Sequence, residues 1–142
     1  MALRISTWNV NSIRRRLDGL AKLVDEVAPD VICLQETKVV DALFPRSAAE
    51  DLGYPHILPH GMKGYNGVAI LSRTPLEEGD SRDWCDKIDQ RHVVGILPGG
   101  VQLHNFYVPA GGDIPDPVEN DKFAHKLRFL TEMTSWFASH KP

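Results

Sequence analysis

Four consecutive apolar residues, Val31-Ile32-Cys33-Leu34, run without a break into Gln35 and Glu36. A strand with one wet face alternates apolar and polar residues, so an unbroken run means a strand covered on both faces. That requirement constrains the chain more than any other feature. Upstream, Ile13, Leu17, Leu20, Val24 and Val27 recur at helical spacing, with Arg15, Arg16, Asp18, Lys22 and Asp25 elsewhere on the wheel. The spacing predicts an amphipathic helix with Ser12 as N-cap, ended by Ala28-Pro29-Asp30. Before it, Leu3 to Thr7 alternates apolar with polar and delivers Trp8-Asn9. A right-handed strand–helix–strand connection sets both strand tips on the same edge, so Asn9 and Glu36 should come together there. Ligand sites in such sheets lie beyond the carboxyl ends of the strands.

The rest of the chain extends this start. Pro45 to Leu52 reads as a short helix stopped by Gly53, and Tyr54 to Leu58 as a weak strand. The Gly-rich loop Gly61 to Asn66 leads into the apolar strand Gly67 to Ser72 and a Thr74-Pro75 break. His92 to Leu97 and Val101 to Tyr107 flank Pro98-Gly99-Gly100, a hairpin turn, so the middle is largely antiparallel β. Phe123, Leu127, Leu130, Met133 and Phe137 mark one face of a last helix, running to about Ser139. No repeat, low-complexity tract or linker marks a boundary, and residues 1–142 read as part of one α/β domain.

The net charge of -3 and pI of about 6.0 give no global basic field, so a polyanion must be held by local lysines and arginines. Cys33 and Cys85 are far apart with no metal-binding spacing, which fits free thiols in a reducing cytoplasm. No signal peptide or membrane-spanning apolar segment is read, and the expectation is a cytoplasmic protein without membrane association.

Alone, Glu36 is an ordinary strand-end glutamate that meets solvent or Lys38, and Asn9 an ordinary turn residue. Together they suit a hard divalent cation such as Mg²⁺, which takes one or two carboxylates with amide or water oxygens and leaves positions for a phosphate. Tyr107 ends a strand, and its hydroxyl can point to the same edge or simply reach water from a core position. Arg14, Lys38, Lys63, Arg91 and Lys126 sit in or near loops, where solvation is the default. The six histidines show no paired metal spacing and are read as structural or exposed, and Asp113, after two glycines, as a turn residue.

Four blocks, Trp8-Asn9-Val10-Asn11-Ser12-Ile13-Arg14, Leu34-Gln35-Glu36-Thr37-Lys38, Lys63-Gly64-Tyr65-Asn66-Gly67-Val68-Ala69 and Asn105-Phe106-Tyr107-Val108-Pro109, resemble exonuclease III in order and spacing. This is the bacterial class of abasic-site endonucleases within the endonuclease/exonuclease/phosphatase superfamily. The resemblance implies a fold of the α/β (α+β) class, a sandwich of two mixed β-sheets flanked by helices, of which this chain is about the N-terminal half. It makes Asn9 and Glu36 ligands of Mg²⁺, with Mn²⁺ as a substitute, and Tyr107 the active-site tyrosine that addresses the scissile phosphate. Arg14, Lys38, Tyr65, Arg91 and Lys126 would face the DNA. The implied activity is phosphodiester hydrolysis on duplex DNA in base-excision repair, both 3′ to 5′ exonuclease and abasic-site endonuclease, by a protein that is a monomer when complete.

The family also carries a Gly-Asp-x-Asn block and a Ser-Asp-His block. Gly79-Asp80-Ser81-Arg82 and Gly112-Asp113-Ile114-Pro115 do not fit the first, and Ser139-His140 lacks the aspartate of the second. The chain therefore reads as a fragment that is inactive by itself, with an inner sheet face that the remaining half would cover. The alternatives are a non-catalytic half that binds metal or DNA, and a phosphatase of the same superfamily.

Overall fold

In a computed structural model of the chain, which describes residues 2–140, the strand–helix–strand unit consists of β1 (Ile5–Asn9), α1 (Leu17–Val27) and β2 (Val31–Gln35). β1 and β2 run parallel in the register that sets Trp8 beside Leu34 and Asn9 beside Gln35. The helix begins later than the apolar spacing predicts. Ser12 caps nothing with its side chain, and Ile13–Arg15 forms a separate 3-10 turn anchored by the fully buried Ile13. The reason is a competing set of partners. The Ser12 N–H donates to Glu36 O at 2.8 Å and the Ile13 N–H to Thr37 O at 3.2 Å, so this backbone continues the ladder past the strand tips. Only after Arg16 is it free to coil. The helix ends at Ala28, which adopts a left-handed conformation and returns its N–H to Val24 O.

β3 (His56–His60) and β4 (Val68–Ser72) complete a four-stranded sheet in the order β1-β2-β4-β3, with β4 antiparallel to both neighbours. β3 starts two residues later than its apolar pattern suggests. Tyr54 is instead a core residue whose hydroxyl donates to Pro29 O at 2.6 Å. Pro59 is tolerated because β3 is an edge strand. α2 (Arg46–Asp51) precedes it. A second, antiparallel sheet has the order β5-β6-β7, from β5 (Glu77–Glu78), β6 (His92–Leu97) and β7 (Val101–Phe106).

The unbroken apolar run of β2 is explained by two cores. Ile32 and Leu34 lie in one cluster with Ile13, Leu20, Ala49 and Tyr54, on the helix side. Val31 and Cys33 lie in another with Ile70, Val93 and Leu97, between the sheets. Val31, Ile32, Cys33 and Leu34 are each at most 5% exposed. Each such aliphatic side chain contributes roughly 2 kcal/mol of burial, which makes β2 a firmly held base for a residue placed at its tip.

The elements above belong to a compact unit of residues 2–82 and 89–107. A second unit comprises residues 83–88 and 108–140 and contains α3 (Asp121–Ser139). Asn120 caps this helix by accepting the Lys122 N–H at 3.1 Å, and its amide donates to Gly111 O and Ile114 O. Trp84 packs against Phe129 and Trp136, with ring centroids 5.6 and 6.4 Å away. No helix among the described residues is long and apolar enough to cross a membrane. Cys33 and Cys85 are both buried and free.

Candidate active site

Beyond their last paired residues, β1 and β2 open into loops that stay tied by backbone hydrogen bonds. Val10 N–H donates to Gln35 O at 2.9 Å, Lys38 N–H to Asn66 O at 2.9 Å, Thr37 N–H and Gly67 N–H to Gly67 O and Gln90 O, and Tyr107 N–H to Arg91 O at 2.7 Å. Four loops and the end of β7 are thus laced into one belt along the carboxyl edge of the first sheet. Asn11, Ser12, Glu36, Lys38, Asn66 and Gln90, all in this belt, have positive φ without being glycine. Each such residue costs roughly 1 kcal/mol, and strain of this kind concentrates where geometry is being enforced.

The conformation of Glu36 accounts for its position. Strict alternation would send residue 36 to the helix side with Ile32 and Leu34. Its φ of 57° breaks the alternation. The carboxylate instead receives the hydroxyl of Tyr107, whose ring packs with the cluster between the sheets. Tyr107 is pushed up to about 12 by burial first and then by the bond and negative charge of Glu36, with Arg91 acting in the opposite direction. At neutral pH the phenol is therefore an O–H donor.

Around this pair, Asn9 lies exposed at the tip of β1, and its Oδ1 accepts the Asn11 N–H at 3.3 Å. Lys38 Nζ donates to Asn11 Oδ1 at 2.6 Å, so the ammonium is held on the same edge. Arg91 lies over the Tyr107 ring at 4.9 Å, donates from Nε to Asp89 at 2.7 Å and from Nη1 to Tyr107 O at 3.3 Å. Arg14 is exposed in the 3-10 turn, and Tyr65 is 56% exposed in its glycine-rich loop. Lys126 belongs to the second unit, on α3, where its side chain runs beside Gly111. Asn9, Glu36, Lys38, Arg91 and Tyr107 thus share one edge of the first unit.

Several supporting residues were not singled out by spacing. Asn105 is 3% exposed, and its amide nitrogen donates to Leu34 O and Ala69 O, both at 2.9 Å, tying β7 to the first sheet. Its Oδ1 accepts from Gln35 Nε2 at 2.8 Å, and Gln35 also donates to Thr7 Oγ1 at 2.9 Å. Asn66 donates to Asp89 O at 2.8 Å. The Asn66-Gly67 pair and the Asp89-x-Arg91 spacing were the available signals. His92 stacks on Phe106 at 4.3 Å and meets His104 at 3.0 Å, and burial above all lowers its pKa to about 3.

No group of three or more His, Cys, Asp or Glu side chains among the described residues could hold a metal. The donors on this edge are of another kind, one carboxylate with an oxygen beyond the one Tyr107 engages, and the Asn9 amide oxygen. An all-oxygen set with a single negative charge could hold a hard cation that keeps its remaining positions for water or phosphate.

Residues 6–141 match the model of the endonuclease/exonuclease/phosphatase family. The chain is 30% identical to exodeoxyribonuclease III of Haemophilus influenzae over 94% of its own length and 51% of that protein's. It superposes on an AP endonuclease from Archaeoglobus fulgidus with a TM-score of 0.83 at 34% identity, covering 99% of this chain and 53% of that one. A 3′ phosphatase from Neisseria, solved with a product DNA hairpin, gives a TM-score of 0.79 at 33% identity over 94% of this chain and 51% of that one. The chain spans about half the length of these relatives. Its two sheets, its parallel opening unit and its family match agree: the chain belongs to the endonuclease/exonuclease/phosphatase family.

Proposed function

We propose that this chain supplies the tyrosine- and metal-holding part of a magnesium-dependent nuclease of the exodeoxyribonuclease III type, which hydrolyses phosphodiesters of duplex DNA at 3′ ends and abasic sites during repair. The observation that carries this reading is the Tyr107 hydroxyl on the Glu36 carboxylate, at the tip of the strand whose parallel neighbour ends on Asn9. In it, Glu36 and Asn9 hold one Mg²⁺ or Mn²⁺. Bound there, the ion would neutralise charge on the phosphoryl oxygens as a Lewis acid. Tyr107, protonated at neutral pH, turns its one O–H from Glu36 to a phosphate oxygen when the substrate and the ion are bound, and Lys38 and Arg14 add positive charge along the DNA backbone. Tyr65 offers an exposed ring at the rim, and Lys126 and Arg91 complete the set assigned to DNA.

The water-activating aspartate and the histidine of the Gly-Asp-x-Asn and Ser-Asp-His blocks would lie outside residues 1–142, whereas the inner face of β2 and β4, expected to be left open, is already covered in this chain by Val93, Leu97 and Leu103 of the second sheet. The assembled protein would be a monomer in a reducing cytoplasm, in keeping with its two free thiols.

A 3′-phosphomonoesterase is the second reading, favoured by the likeness to the Neisseria phosphatase. The test uses end-labelled duplexes carrying an abasic site, a recessed 3′ end or a 3′-phosphate, in Mg²⁺, with the chain and with a version extended through the downstream coding sequence. Incision and 3′ resection by the extended version alone are expected. Release of phosphate only would favour the second reading. Binding without any cleavage by either would identify a non-catalytic module, and full cleavage by residues 1–142 would refute the division of labour.

A further inference from the structure

Arg91 stands apart from the other cations of the edge. Its side chain is 14% exposed, that of its partner Asp89 is 16% exposed, and the two are joined at 2.7 Å through Nε. Its Nη1 donates to the carbonyl of Tyr107 at 3.3 Å, and the guanidinium carbon sits 4.9 Å from the centre of the Tyr107 ring. The main chains are also joined, by Tyr107 N–H to Arg91 O at 2.7 Å. Asp89 is fixed in turn, because its carbonyl receives the Asn66 amide at 2.8 Å and its neighbour Gln90 receives the Gly67 N–H. A guanidinium that gives its Nε–H to a carboxylate and an Nη1–H to a carbonyl while its carbon lies over an aromatic ring is held in place before any phosphate arrives. A surface cation waiting for a DNA backbone is built differently: Arg14 lies exposed with its side chain on the open face of the turn.

We infer that Arg91 and Asp89 form a positioning pair for Tyr107: Asp89 holds the guanidinium over the ring, and the guanidinium fixes the plane in which the hydroxyl meets Glu36. The inference rests on the reading of Tyr107 as the active-site tyrosine, and reassigns Arg91 from a phosphate contact to a residue that acts through Tyr107. Two parts of the geometry support the direction of action. The contact is face-on, where a cation is attracted to the ring and resists its rotation. The backbone hydrogen bond from Tyr107 N–H to Arg91 O remains when the side chain is removed or shortened, so the strand end stays tied while the ring loses its clamp.

A phosphate-contacting arginine and a positioning arginine differ in three measurable ways. The chain labelled with [13Cζ]tyrosine gives three signals, for Tyr54, Tyr65 and Tyr107, assigned with Tyr65→Phe and Tyr107→Phe. In Arg91→Met, Arg91→Lys and Asp89→Asn, the Tyr107 signal alone is expected to move and broaden. An unmoved Tyr107 signal in all three overturns the inference whatever the enzyme does. The second measurement is the salt dependence of duplex DNA affinity. Loss of one phosphate contact lowers the slope of log affinity against log salt by about 0.9, whereas a positioning residue leaves it unchanged. A slope reduced by that amount in Arg91→Met also overturns the inference.

The third is turnover in the intact protein. Arg91→Lys and Asp89→Asn are expected to lower kcat about tenfold with KM within twofold, a split that follows from losing an interaction made only in the transition state. A phosphate contact would instead be largely rescued by lysine and would not involve Asp89. If the Tyr107 signal moves but kcat does not, the positioning pair stands and the catalytic role of Tyr107 fails. If Arg91→Met does not fold, Asp89→Asn and Arg91→Lys, which keep the volume and the salt-bridging atoms in part, carry the same three tests.

Discussion

Gly67 is where the belt that carries the site is most sensitive to a single methyl group. Its φ is +93°, and a Cβ there would stand 2.2 Å from Thr37 Oγ1, with the next atoms, Gly61 Cα and Lys38 N, at 3.4 Å. Two costs follow for Gly67→Ala. A left-handed backbone with a side chain costs about 1–2 kcal/mol, and forcing a methyl against the hydroxyl of the buried Thr37 about 1–3 kcal/mol more. We expect a loss near 3 kcal/mol by urea unfolding at constant m. The structure also states how the loss divides. Removing the hydroxyl leaves nothing closer than 3.4 Å, so Gly67→Ala in a Thr37→Ala background should keep only the backbone cost, with a favourable coupling of about 1–2 kcal/mol. Thr37 is the chain neighbour of Glu36, so the same substitution should disturb the Tyr107–Glu36 pair even where the protein remains folded. Additive losses in the double variant, or a Gly67→Ala protein as stable as the parent, would refute the reasoning.

Tyr107→Phe in the intact enzyme removes one donor to the phosphate and should cut kcat roughly 10²-fold while a Mg²⁺ titration of activity keeps its midpoint. His92 folds with its pKa lowered from 6.5 to about 3, chiefly by burial, so it binds fewer protons folded than unfolded. Its stabilising contribution is present above pH 6.5 and lost as pH falls towards 3, up to about 5 kcal/mol, and His92→Gln should flatten the acid limb of a stability–pH curve. Asn120→Ala removes the cap of α3 and should cost about 1 kcal/mol or more by thermal unfolding, and Asn120→Asp, which keeps the capping oxygen but loses both donations to Gly111 O and Ile114 O, should not restore it.

The parts of the fold legible in the sequence are those governed by local pattern. Val31 to Leu34 could be read as a doubly covered strand because nothing polar interrupts it, and the two clusters on either side of β2 are the physical form of that reading. The last helix was legible through Phe123 to Phe137, and the hairpin at Gly99-Gly100 through its two residues of positive φ. Ser12 misled as a cap because its N–H is claimed by Glu36, 24 positions along the chain, and a long-range partner leaves no local trace. β5 was missed for another reason: it is two exposed glutamates, held by pairing with Ile96 and Gly95 and by the long-range contact of Glu78 with His60.

For the site, strand tips could be brought together on paper because a parallel crossover has one hand. The left-handed turn of Glu36 could not, nor could the hydroxyl that meets it from 71 residues away. That turn is enforced by the belt of loop hydrogen bonds rather than by the propensity of glutamate, which disfavours it. The buried Asn105 was equally hidden. Its role appears only once two sheets are stacked and two strand carbonyls need a donor.

The central claim is that Asn9 and Glu36 hold one divalent ion between them, and the most direct measurement is paramagnetic broadening of backbone amide signals on titrating Mn²⁺ into the chain. The account predicts that amides of residues 9–12 and 36–38 broaden first, that Mg²⁺ competes the effect away, and that Glu36→Gln weakens it by at least about tenfold. Broadening centred elsewhere, or an unchanged titration in Glu36→Gln, would contradict it.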